Sequence, residues 1–201
     1  MKSQLENLYR RAGITKESCF HANRRLETHN NLSLWSLTTL AFSLIVISLL
    51  TQIYSDNAFI IEYIRFFNFS ITVSSIFAMV ISIIIHKSDF SLKADKFRRQ
   101  AMDINELRIS FKHLIEKDED DSIKETLYEA QSKNYSEILE RNLVHDQIDY
   151  YVSNTKGVEH KYFYTKMVVT QFFGYLLIIL SSILLLIWAC FNTYLKTIVV
   201  T

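Results

Sequence analysis

The sequence predicts an all-α membrane protein. It is read as a transmembrane helical hairpin that continues into long cytoplasmic helices, with a third C-terminal transmembrane helix. Three observations lead there. Of 201 residues, 49% are hydrophobic, and they concentrate in three long runs free of Asp, Glu, Lys and Arg. The chain has no proline and three glycines, so long uninterrupted helices are the default. Its basic residues alternate between crowded and sparse along the loops, as the two sides of a membrane require.

Residues 1–31 are expected to form cytoplasmic helices. Gly13 is placed to end a first short helix. Thr15 can cap the next, with Glu17 in its first turn and Ile14 stapled onto Cys19. No stop signal follows before Asn30 and Asn31, so this helix is expected to run straight into the membrane. A signal peptide with a short apolar core and a cleavage site is not expected in these charged first thirty residues.

Residues 32–85 form the predicted hairpin, with spans at 32–53 and 66–85. The third span is 167–191, followed by a short outside tail, 192–201. At about 1.5 Å per residue each run covers a hydrocarbon core of about 30 Å. Three runs of this length weigh against buried helices of a soluble protein. Six basic residues precede the first span, Arg65 alone lies between the first two, and Lys87, Lys93, Lys96, Arg98 and Arg99 follow the second. Lys156, Lys161 and Lys166 precede the third span and Lys196 follows it. The N-terminus and the section 86–166 are therefore expected on the cytoplasmic side of the membrane.

Residues 86–166 read as a cytoplasmic helical hairpin. Phe97, Ala101, Ile104, Leu107, Phe111 and Leu114 share one helical face, either packed within the chain or serving assembly as a stalk. The acidic run 117–122 reads as a turn, with Asp121 or Ser122 as a cap. The next helix carries Leu127, Tyr128, Tyr135, Ile138 and Leu139 and ends at Ser153–Gly157. His145 and Asp149 are placed on one face of it, bonded to each other.

The second span carries a polar stripe at spacings of four and three: Asn68, Thr72, Ser75, Ser82 and His86, with Met79 among them. Its opposite side, Phe66, Phe69, Val73, Phe77, Val80 and Ile84, suits lipid. Ser36, Thr39 and Ser43 form a shorter stripe on the first span. Close helix packing through small hydroxyl side chains is one reading of these stripes. The other is an oligomer in which they line a polar path, with His86 and Lys87 at the cytoplasmic mouth.

No catalytic, cofactor or metal constellation is expected. The six histidines lack metal-ligand spacing, and there is no phosphate-binding glycine loop. Cys19 and Cys190 fall on opposite sides of the membrane and should not pair. A net charge of +1 without a basic tract gives little support to nucleic-acid binding.

Two stretches carry a family likeness. One is Ala22-Asn23-Arg24-Arg25-Leu26, directly before the first span. The other is Tyr135-Ser136-Glu137-Ile138-Leu139, followed by Asn142, His145, Asp149 and Tyr150. Together with the tight hairpin they resemble the SLATT family, bacterial two-transmembrane effector domains found beside nucleotide-signalling enzymes in anti-phage systems. The second stretch is similar to a subgroup associated with reverse transcriptases. The resemblance spans roughly Leu5 to Tyr151, outside the third span. It implies an oligomeric effector that damages the inner membrane when a partner, a nucleotide-signalling enzyme or reverse transcriptase encoded nearby, signals infection. It also implies that Asn142, His145 and Asp149 are a structural or signal-receiving element. The competing reading is a non-conducting scaffold that recruits a soluble partner through the Phe97–Leu114 face.

Overall fold

In the computed structural model, which describes residues 2–116 and 121–200, helices follow one another without a strand among the described residues. They are α1 (Lys2–Ile53), α2 (Ala58–Ser88), α3 (Phe90–Glu116), α4 (Asp121–Arg141), α5 (Gln147–Asn154), α6 (Gly157–Met167) and α7 (Phe173–Val200). A π-helical turn, Val168–Phe172, links α6 to α7. Three of the helices are long and apolar enough to cross a membrane. The chain divides into a polar unit, Met1–Thr28 with Phe90–Val169, and an apolar unit, His29–Asp89 with Thr170–Thr201.

The polar unit is built on α1. Its buried positions Leu5, Leu8, Ala12, Cys19, Ala22 and Leu26 recur at helical spacing. They meet Phe97, Ala101, Ile104, Leu107 and Phe111 of α3, and Tyr135 and Ile138 of α4. Leu114 and the acidic turn with its expected caps, Asp121 and Ser122, lie outside the residues whose side chains are described.

Four local expectations are corrected here. Gly13 does not end a helix, because α1 passes through it unbroken. Its missing side chain makes room for Arg108, whose Nε would lie 3.2 Å from a Cβ there while its guanidinium sits 4.2 Å over the Tyr9 ring. Thr15 accordingly caps nothing, and the staple from Ile14 falls with it. Its hydroxyl donates to the Arg11 carbonyl and lies 2.7 Å from the Tyr135 hydroxyl. The helix of the second span does not continue unbroken, because Asp89 adopts a left-handed conformation (φ 48°) and α3 restarts at Phe90. Aspartate tolerates that conformation better than most residues. Last, the helix through Tyr135 stops at Arg141, and residues 142–146 are irregular before α5 begins.

In the apolar unit the first two spans are joined by a turn at 54–57. Asn57 caps α2, its Oδ1 accepting from the Phe59 amide at 2.9 Å. Its amide also donates to the Thr193 carbonyl of α7 at 3.4 Å. Beside this turn Trp188 sits among Phe59, Tyr63, Phe66 and Phe67, at centroid distances of 5.1–5.8 Å. Ile47, Ile60 and Ala189 complete the cluster. The first span meets α7 through Ser36 and Ser43, on a buried side that also carries Ser33, Leu40 and Ile47. The third span is thus a structural member of the unit.

Candidate functional site

Two features carry chemistry. The first lies in the polar unit, where the two stretches that resemble a family meet. Arg25 on α1 donates from Nε and Nη2 to both oxygens of Asp149 on α5, each at 2.9 Å. Its Nη2 also lies 2.6 Å from Asp146. The side chains of Arg25 and Asp149 are 9% and 1% exposed, that of Asp146 64%. Burial works to lower the Arg25 pKa, but the bonds and charge of Asp149 and Asp146 win, leaving it above the ordinary arginine value. Nearby, Ser18 and Ser153 hydroxyls lie 3.1 Å apart. Asn23 donates to the Ala94 carbonyl at 3.2 Å. Burial, with a smaller push from Asp149, raises the Cys19 thiol to about 12. Burial and then the charge of Arg24 lower His21 below its ordinary value.

This arrangement corrects the expected His145–Asp149 bond. His145 lies in the irregular segment, its Nδ1 3.3 Å from the Asp146 carbonyl, while Asp149 is turned into the unit toward Arg25. A buried carboxylate gains most from a fully charged, two-pronged partner, which arginine supplies and imidazole does not. Asn142 donates to the Ile138 carbonyl at 2.7 Å, closing the end of α4. Tyr135 is buried against Thr15. The Phe97–Phe111 face is spent inside the unit, so a partner could reach it only by unpacking α1 and α4.

The second feature lies in the apolar unit. Ser36 and Ser43 are buried on α7, their hydroxyls 3.4 Å from the Tyr175 carbonyl and 3.3 Å from the Ser182 carbonyl. Thr39 is half-buried and donates to carbonyls of its own helix. On α2 the buried residues are Phe59, Ile60, Phe67 and Ile81, which lie between the polar stripe and the side expected to face lipid, and Phe66, Phe69, Phe77, Val80 and Ile84 of that side are exposed. Phe66, Phe69, Val73 and Phe77, expected to face lipid, line a cleft of about 580 Å³ between α2 and α7, with Leu40 of α1 and Ser181 and Ser182 of α7. Asn68, Thr72, Ser75, Ser82 and His86 are exposed, turned away from the unit's own helices. The Trp188 cluster sets this rotation, because it draws Phe59, Tyr63 and Phe67 inward. Thr72 and Ser75 donate to carbonyls four residues back, at 2.9 and 2.8 Å. The side-chain amide of Asn68 has no partner among the described residues. Ser70 and Ser74, which the polar stripe left out, also line the cleft.

Arg25 is the residue the sequence reading passed over. It stands within the Ala22–Leu26 stretch, which was the available signal, but its partner is 124 residues away. Neither feature assembles a nucleophile with a base. Among the described residues no group of three His, Cys, Asp or Glu side chains could hold a metal ion.

The model of one family, described as SMODS and SLOG-associating 2TM effector domain family 5, matches residues 1–198. That match takes in the third span. Neither a curated protein nor a solved structure matches the chain.

Proposed function

The chain belongs to the SMODS and SLOG-associating 2TM effector domain family 5, and from that premise we propose that it is the membrane effector of a bacterial anti-phage defence system. It self-associates along α2 and opens a pore in the inner membrane, or disrupts that membrane, when a partner signals. The observation that carries this reading is the outward stripe. An apolar span packs Phe59, Ile60, Phe67 and Ile81 into its own unit and leaves Asn68, Thr72, Ser75 and Ser82 outside. A helix made only to anchor gains nothing from an unpartnered amide in lipid. Small and hydroxyl side chains let a neighbouring helix approach closely, and an amide supplies interhelical hydrogen bonds. Because the stripe points away from α1 and α7, a polar path built from it needs several copies.

The basic residues before the first span and around the polar unit support a cytoplasmic N-terminus. The polar unit would then receive the signal, with the Arg25–Asp149 clamp as its fixed frame. A nucleotide-signalling enzyme or a reverse transcriptase encoded nearby is the partner class that fits the family. The scaffold reading loses ground because its docking face, Phe97–Phe111, is already buried.

The test is the membrane potential of cells expressing the chain with its activating neighbours. Activation depolarises the wild type. Thr72→Leu with Ser75→Leu keeps insertion and abolishes depolarisation. A membrane potential that stays normal under full activation of the wild type refutes the proposal.

A further inference from the structure

The self-association just proposed leaves open which surface of one copy meets which surface of the next. Counting about 100° per residue, the polar stripe and the cleft-facing side of α2 lie roughly 180° apart around the helix. They sit on opposite flanks of the buried Phe67 face, so one copy presents a stripe on one side and a cleft on the other. Both surfaces are rich in hydroxyls, and on the cleft side Gly174 and Ser181 are small enough for another helix to come close. Thr72 and Ser75 already donate to their own backbone, so burying these two hydroxyls strands no donor.

Depth agrees as well. α2 and α7 are antiparallel, with Phe67 beside Trp188 at 5.8 Å and Asn57 bonded to Thr193. Five residues along α2 from Phe67 is Thr72. Five residues back along α7 from Trp188 is Ile183, within about one helical turn of Ser181. Copies standing side by side in one bilayer therefore bring the Thr72 of one level with the Ser181 of the next.

We propose that copies of this chain join head to tail, the Asn68–Ser82 stripe of each seated in the α2–α7 cleft of its neighbour. This rests on the self-association reading and adds its handedness. Two unlike surfaces make a heterologous contact. Repeated about an axis normal to the membrane, such a contact closes into a ring, whereas stripe against stripe would stop at a two-fold dimer.

Disulfide trapping in native membranes tests it. Cys190→Ser provides the background, and the buried Cys19 stays. Thr72→Cys combined with Ser181→Cys on one chain gives a ladder of dimers, trimers and higher forms under mild oxidation. Each single variant alone gives monomer, and the two single variants co-expressed give dimer. Ser75→Cys with Leu177→Cys repeats the test in a second register, should the first pair disturb folding. Dimers from Thr72→Cys alone overturn the proposal in favour of a two-fold contact. Failure of both double variants to cross-link, in preparations whose particle mass is multimeric, overturns it while self-association stands. A monomeric particle mass, together with no cross-links, overturns both.

Discussion

Replacing Asp149 with asparagine keeps the size of the side chain and removes the charge that Arg25 faces. The guanidinium, 9% exposed, is then left with Asp146, which is itself 64% exposed. Breaking one side of a buried pair costs about 3–5 kcal/mol, because the surviving charge stays out of water without its partner. Asp146 still neutralises part of it, which puts the cost near the lower end, about 3 kcal/mol. The eight residues of α5 are too few to persist as a free helix, so the loss falls on the docking of α5. Native-state hydrogen exchange on the full chain in detergent reads it directly. A loss of about 3 kcal/mol raises the open population roughly 100-fold, and the amides of α5 exchange faster by that factor. Arg25→Met does the same. The double variant Arg25→Met with Asp149→Leu recovers more than half of the loss, since two apolar side chains carry no charge to desolvate. Asp146→Ala changes exchange less than about fivefold, as an exposed pair should. Wild-type exchange of α5 in Asp149→Asn would refute the reasoning outright. A double variant as loose as either single one would show that shape, not charge, holds the helix.

Further outcomes are as definite. Cys19, buried and with its thiol pushed up to about 12, carries roughly a thousandfold less thiolate than an ordinary cysteine at neutral pH. Peptide mass mapping should find it alkylated only after denaturation. His21 has its pKa lowered in the fold, so the unfolded chain binds a proton first as pH falls. Stability from this site is complete above the ordinary value of 6.5 and drains away as pH falls through 6.5 toward the lowered folded value. His21→Gln should flatten that part of an unfolding profile measured against pH. Trp188→Ala removes ring contacts to Phe59, Tyr63, Phe66 and Phe67, each pair worth about 0.5–1.5 kcal/mol. Thermal scans in detergent should show a lower transition than in Trp188→Phe, and an unchanged transition in Trp188→Ala would discount the cluster.

The three apolar runs were legible because length and the absence of charge are local properties, visible in any window of twenty residues. The Phe97–Phe111 face was legible for the same reason, since its period repeats within one helix. The rotation of α2 was not. Its buried side, Phe59, Ile60, Phe67 and Ile81, lies between the stripe and the side expected to face lipid, where Trp188 packs from more than a hundred residues away. Asp149 was singled out, but its partner was sought four residues off rather than across the fold at Arg25. The break at Asp89 turns on one residue in a conformation that neither glycine nor proline announces. Gly13 was misread because a glycine that admits a neighbouring guanidinium looks, in sequence, like one that ends a helix.

The serine seam of the first span bears on how the chain is made. α1 and α2 leave the ribosome first, and roughly 80 more residues must be synthesised before α7 begins. At about 5–20 residues per second that is an interval of about 4–16 s. Throughout it Ser36 and Ser43 lack the Tyr175 and Ser182 carbonyls that they meet in the folded chain. Nascent hairpins on neighbouring ribosomes offer one another the same vacant groove, so crowded translation of this gene invites the first two spans to pair between chains before the third arrives to claim them.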